Sequence, residues 1–378
     1  SDGDCTTRSN NVTKMVKFGD DSITPPTVFA TGVVPSQDDQ VFNLTTGGLT
    51  HIFLVDTANS NTLKVLDVAT GILTTVLANV GEVRIVAQDT SNRVFLMSNS
   101  KLYLYTISTT ILTELVSATG SSFLLKGNDF TADSTHLYVV DATPGAVKKI
   151  PLSATGPGDV INHYTAPASV LEMQLSENRL VLRVSSNPCN PVTPGSEGLV
   201  SVRKDNGTTV STLVPVAANT CVFGSRPEGS NVFYTKFAGG TQTAHVVTED
   251  GTAVLSPITG GNWGAGEAGF TSFNPRTGDG VSAKIILLTS STLGTVNGAS
   301  VSVYDWATPT NTPLVAGTIP STAVPLNFVN FFGDTTAALG LGFSNQTPNT
   351  EIFFLDSAIS NSLVRVPTPN AAQWFPVE

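Results

Sequence analysis

Residues 51–71 read HIFLVDTANSNTLKVLDVATG, and this stretch decides the fold. Ile52 to Val55 is a continuous run of branched and aromatic residues, as a buried strand requires. Asp56 to Asn61 (DTANSN) is a cluster of turn formers. Leu63, Val65 and Val68 then recur among polar residues, and Ala69-Thr70-Gly71 closes a second strand. The stretch is one β-hairpin.

Versions of the hairpin recur. Its first strand starts again at Arg93 (RVFLMS), His136 (HLYVVD), Arg179 (RLVLRV), Asn231 (NVFYTK), Lys284 (KIILLT) and Glu351 (EIFFLD). The first intervals are about 42–43 residues, and the later ones lengthen to about 52, 53 and 67, a period in the range of propeller repeats. In the second copy four strands can be read: GEVRIVAQ, RVFLMSN, KLYLYTI and ILTELVSA. No window shows the i, i+3, i+4, i+7 spacing of a helix. The pattern predicts an all-β chain, a seven-bladed β-propeller of four-stranded antiparallel blades. Residues 187–198 (NPCNPVTPGSEG) and 316–350 read as inserted loops.

Residues 1–14 read as a polar tail and 15–378 as a single propeller domain. The last copy shows strands at Leu326–Phe332, Ile352–Leu355 and Leu363–Val366. Its fourth strand is expected from the N-terminal MVKF (15–18), which would close the ring by joining the two chain ends. The C-terminal segment Gln373–Val377 is the alternative.

The run Asn61-Thr-Leu-Lys-Val-Leu-Asp67-Val-Ala-Thr-Gly71 resembles the YVTN-type β-propeller repeat. Asn361-Ser-Leu-Val-Arg-Val366 after EIFFLD, and Val147 to Gly156 after HLYVVD, are similar to it in part. The resemblance implies a seven-bladed propeller of the kind found in exported and surface proteins. It implies no single reaction.

Composition narrows the function. Charged residues make up 13% of the chain, with 33 Gly and 22 Pro, so turns are many and ion pairs few. The formal charge is −10 and no Lys/Arg cluster exceeds Lys148-Lys149, which excludes an electrostatic footprint for nucleic acid. No apolar run is long enough to span a membrane. The opening SDGDC reads as a mature or trimmed start. Asn11, Asn43, Asn206 and Asn345 each open an N-x-Thr sequon.

Of the three cysteines, Cys189 and Cys221 flank an intervening pair of strands and are expected to form a disulfide. Cys5 is left over. The spacing supports no metal site. His51 and His136 occupy equivalent positions in different copies, so they do not converge; His163 and His245 stand apart. Asp56, Asp141 and Asp356 end the equivalent strand in three copies. They either cap the following turn or form a carboxylate ring that binds a cation or a basic partner. Gly264 to Gly269 matches GxGxxG in form only, because Phe270-Thr-Ser-Phe after it reads as a strand and not as a helix. Trp263, in the same glycine-rich loop, is a candidate stacking surface for a sugar or a protein.

These readings lead to a non-enzymatic binding or scaffold module with no cofactor, in the periplasm, at the cell surface or secreted. Its partner would be a surface or extracellular protein, or a glycan, met on one face by Trp263 and the three aspartates. The alternatives are a propeller lyase or hydrolase with channel residues from several blades, and a structural subunit of a surface assembly.

Overall fold

The computed structural model describes residues 51–56, 60–67, 69–81, 83–88, 92–119, 130–141, 145–189, 195–239 and 241–254. It gives the backbone alone for 223, 224, 226, 228, 241, 242 and 244 and for the strands outside those ranges. Among the described residues the chain is β throughout, apart from two single 3-10 turns, Ile107–Thr109 and Pro157–Asp159. No helix among them is long and apolar enough to cross a membrane.

Seven four-stranded antiparallel meanders follow one another, each with its strands side by side in chain order. We number them sheets I to VII: residues 41–77, 83–116, 130–165, 169–218, 220–259, 270–313 and 326–367. Sheets IV and V run together through one parallel pair, Ser196–Thr220. The hairpin of residues 51–71 forms as read, with Leu49–Asp56 against Thr62–Asp67 in register from His51–Asp67 to Asp56–Thr62.

The chain divides into two compact units, Ser1–Ala166 and Pro167–Glu378. In the first, sheet II is covered on both faces, and the strand period of two decides which residue goes where. Val94 and Leu96 join Phe53, Val55, Leu63 and Val65 of sheet I. Phe95 and Met97, one step out of phase, join Leu137, Val139 and Ile150 of sheet III. A strand buried on both sides has no polar face, which is why RVFLMS reads as a continuous apolar run. Each fully buried side chain of this kind contributes roughly 1.5–3 kcal/mol. In the second unit Val181, Leu199 and Val214 of sheet IV meet Val222, Val232, Tyr234 and Val247 of sheet V.

Backbone hydrogen bonds repeat with the sequence period. The residue before each second strand accepts a bond from the residue after the third: Ile107 N–H to Asn92 O, Leu152 to Thr135, Lys204 to Asn178 and Glu249 to Ser230, at 2.7–3.0 Å. These acceptors directly precede the repeat starts Arg93, His136, Arg179 and Asn231. A second bond seats each turn of the first unit on the connection to the next sheet. The carbonyls of Asn61, Ser100 and Gly145 accept from Val80, Thr119 and Ala166 at 2.6–2.8 Å. All three acceptors have positive φ, 48°, 56° and 77°. Only Gly takes that conformation freely, and Asn is enriched there.

Two expectations are corrected. The N-terminal strand is Val12–Met15, and it pairs antiparallel with Thr27–Thr31 in a two-stranded sheet of its own, not with sheet VII. Sheet VII needs no donated strand, because Gly340–Asn345 supplies one between Leu326–Phe332 and Glu351–Asp356. GLGFSN spaces Leu341 and Phe343 two apart, but two glycines and a flanking run of turn formers make it read as a loop. Its place comes from backbone pairing on both edges.

Candidate functional site

The most elaborate constellation lies where sheets IV and V meet. The second strand of sheet IV, Arg179–Asn187, leads through Pro188 and Cys189 towards the third, Ser196–Arg203. Cys189 is bonded to Cys221, on the first strand of sheet V, with Cα atoms 5.9 Å apart. The predicted disulfide is present, and it pins the proline-rich connection to the neighbouring sheet. Gly195 closes the connection. A Cβ there would collide with the Asn187 carbonyl, and the Gly195 N–H points at the Cys189 Sγ from 3.1 Å.

Behind the disulfide sits Glu197, 1% exposed. One carboxylate oxygen accepts the Cys189 N–H and the other the Val222 N–H, both at 2.9 Å. Arg183 reaches the same oxygen across 3.6 Å, donates to the Val222 carbonyl at 3.2 Å, and lies 3.3 Å from Glu172. The other Glu172 oxygen accepts from the Gln174 amide. Val181 and Leu199 belong to the cluster shared with sheet V, so Arg183 and Glu197, two positions from each, face that sheet too. Two carboxylates around one guanidinium hold the root of the loop. Nothing in the sequence singled out Glu172, Arg183 or Glu197; the one cue was an acid two residues past the glycine of a cysteine loop.

No family model matches this chain, and no curated protein matches it. Solved structures do. One described as the eukaryotic initiation factor has a TM-score of 0.51 at 10% identity, over 90% of this chain and 80% of that one. The dihydro-heme d1 dehydrogenase NirN in complex with DHE has a TM-score of 0.50 at 12% identity, over 89% of this chain and 68% of that one. A third, the Dos1 propeller, has a TM-score of 0.49 at 10% identity, over 88% and 86%. Likeness at these identities concerns the fold alone. Successive four-stranded meanders stacked face to face are the propeller architecture. The chain has a β-propeller fold.

Among the other candidates, Asp56 is fully buried, and Lys64 on the next strand lies 2.6 Å from it. Asp141 repeats the arrangement with Lys148 at 3.0 Å and keeps 17% of its side chain exposed. Each lysine sits opposite the residue two before the aspartate, Leu54 in one sheet and Val139 in the other. Asp356 ends the equivalent strand, Glu351–Asp356, of which only the backbone is described. Trp263, Cys5 and the GxGxxG segment 264–269 lie outside the described residues; Phe270–Phe273 after them is a strand, as read.

His136 and His163 both pack on the Tyr138 ring, 6.3 and 5.6 Å from its centroid. His136 Nδ1 lies 2.8 Å from Thr135 Oγ1, and burial lowers its pKa, as does Lys149. His163 meets the Tyr138 ring edge-on. His245 stacks on Tyr234 at 4.8 Å with Thr243 Oγ1 2.7 Å from Nε2. Burial, then the Lys236 charge, pushes His245 down to about 4, and burial pushes Tyr234 up to about 12. Among the described residues no three His, Cys, Asp or Glu converge to hold a metal ion. A disulfide points to an oxidising compartment.

Proposed function

We propose that this chain is an extracytoplasmic seven-bladed β-propeller that binds a surface protein or a glycan and performs no turnover of its own. The observation that carries the reading is the Cys189–Cys221 bond, which locks a long connection onto a rigid neighbouring sheet. A loop held at its root costs less entropy to order on binding, and recognition is commonly placed on such loops. The bond also favours an exported protein, since thiols are kept reduced in the cytosol. Residues 190–194, with Trp263 and Asp356, would supply the contacts. Asp141 would add a partly open carboxylate, whereas Asp56 would act through its turn.

Seven meanders in one chain favour seven blades, and the complete sheet VII favours closure by contiguous strands. The named neighbours include an initiation factor and a dehydrogenase, so the fold alone selects no chemistry.

The test compares wild type with a variant whose residues 190–194 are replaced by Gly and Ser. Both are applied to a glycan array and to a panel of purified surface proteins. Retention of wild type, lost in a variant of unchanged melting temperature, supports the reading. Equal retention of both moves the binding face elsewhere, and chemical conversion of a retained ligand would make the protein an enzyme.

A further inference from the structure

Five large hydrophobic side chains stand out to solvent among the described residues, and all five lie at or shortly before the start of the fourth strand of a sheet. In the first unit they are Ile72, Ile111 and Ile161, exposed by 62%, 56% and 52%. Ile72 directly precedes the fourth strand of sheet I, Leu73–Leu77. Ile111 and Ile161 open the fourth strands of sheets II and III. The second unit repeats the feature with Val210, which opens the fourth strand of sheet IV, and Val254, whose N–H bonds Val246 of sheet V. Singly exposed apolar residues are ordinary and fall anywhere on a surface. All five fall where the third strand passes to the fourth, with a register that varies from sheet to sheet: Ile111 lies opposite Thr106, the last residue of its third strand, Val210 opposite Val202, and Ile161 opposite Lys149. The fourth strand is also the last in each sheet, with one edge unpaired within it.

The turn before this position carries acid. Asp67 accepts the N–H groups of Ala69 and Thr70 just before Ile72. Asp159 accepts those of Thr155 and Gly156 just before Ile161. These bonds lower both carboxyl pKa values, so both are charged at neutral pH. In sheet II the acid is Glu114 on the fourth strand itself, paired with Lys101 at 2.9 Å. In the second unit Asp205 is ion-paired with Arg203, and Asp250 accepts the Thr252 N–H in its turn. Asp67 and Asp159 thus stand in the turns that lead to Ile72 and Ile161, whereas Glu114 lies on the other face of its strand from Ile111, and Lys149 is the residue directly opposite Ile161.

We propose that the outer edge of sheets I to III, at Ile72, Ile111 and Ile161, docks a polypeptide segment that carries basic and branched aliphatic side chains. The charge selects this occupant. A second copy of a chain with formal charge −10 would set acid against acid. Nucleic acid and an anionic membrane meet the same repulsion. A glycan wants a flat aromatic surface, and the row holds isoleucine. Packed sheets lie about 10 Å apart, and twelve extended residues reach about 40 Å, so one segment can cross all three. Within any one sheet the third-to-fourth turn lies at the opposite strand ends from the second-to-third connection, the connection that carries Cys189 in sheet IV. The docking surface stands or falls independently of the function proposed above.

The probe is a fluorescent (Lys-Val-Gly)4 peptide, with (Lys-Ser-Gly)4 and (Glu-Val-Gly)4 as controls, followed by anisotropy against the whole chain. Wild type should bind the first peptide saturably and at least tenfold more tightly than either control. The triple variant Ile72→Thr/Ile111→Thr/Ile161→Thr keeps β-branched residues on exposed positions, so its melting temperature should not move while that preference disappears. The pair Asp67→Asn/Asp159→Asn keeps an acceptor oxygen for the turn and should weaken binding and flatten its salt dependence. The proposal is overturned if (Lys-Ser-Gly)4 binds wild type as well as (Lys-Val-Gly)4, if no saturable binding occurs, or if the triple variant binds like wild type.

Discussion

Glu197 accepts the N–H of Cys189 with one carboxylate oxygen while the other accepts the N–H of Val222, next to Cys221. The two halves of the disulfide are therefore held by a buried carboxylate as well as by the S–S bond. Glu197→Gln replaces one acceptor with a donor, which then faces an N–H. It should cost about 1–3 kcal/mol, the range for a buried polar group left unsatisfied. Cys189→Ala/Cys221→Ala should cost roughly 3–4 kcal/mol for a loop of this length. Urea denaturation measures both, and thiol titration of the Gln variant should still find Cys189 and Cys221 oxidised. A Gln variant as stable as wild type would show that the disulfide alone holds the corner.

Tyr105 makes the opposite case. Its ring stands edge-on to Phe53, 6.0 Å between centroids, and is 1% exposed. Its hydroxyl has no hydrogen-bond partner among the described groups, and burial raises its pKa. Tyr105→Phe keeps the ring contact and removes an unsatisfied polar atom. Stability should stay level or rise by up to about 1 kcal/mol. Phe53→Ala should lose about 3–5 kcal/mol from the same cluster. A marked loss on Tyr105→Phe would reveal a bridging water in that cavity.

The repeat was legible because the second strands of sheets I to V, where side chains are described, are buried on both faces. RVFLMS and HLYVVD announce themselves as apolar runs, and the turn acceptors Asn92, Thr135, Asn178 and Ser230 fall one residue before the starts read from sequence. Two short strands with weak apolar patterns were not legible. Gly340–Asn345 has only Leu341 and Phe343 alternating with two glycines inside a run of turn formers, and Val12–Met15 lies three residues earlier than the MVKF reading. The disulfide was legible from spacing. The Glu172–Arg183–Glu197 cluster was not, because its members come from three strands whose register only the fold supplies.

Deletion of residues 1–20 tests the corrected topology. It removes Val12–Met15, whose partner is Thr27–Thr31, and leaves all four strands of sheet VII. A two-stranded sheet is marginal by itself, so global stability should fall by roughly 1 kcal/mol or less. A large drop in melting temperature would show that the N-terminal strand supports more than its own partner.

His245 should give the protein an acid-sensitive stability above the carboxylate range. Burial against Tyr234, and then the nearby Lys236, depress its pKa from 6.5 to about 4. The folded state therefore holds the imidazole neutral between those values, while the unfolded chain protonates it. The stabilisation is complete above about pH 6.5, falls as the pH drops through that window, and levels off below about 4. With the ring partly exposed, solvent screening reduces the effect to about 1–2 kcal/mol. Thr243 Oγ1 lies 2.7 Å from Nε2, so His245→Gln keeps a hydrogen-bonding group near that position without a titrating one. Unfolding free energies at pH 7.5 and pH 5 should differ more for wild type than for the Gln variant, by a little over half that amount. Parallel pH profiles for the two proteins would place the titrating group elsewhere. The exposed carboxylates Asp67, Asp159, Asp205 and Asp250, lowered by their turn or ion-pair partners, act in a separate window, where stability is lost only as the pH falls below about 4.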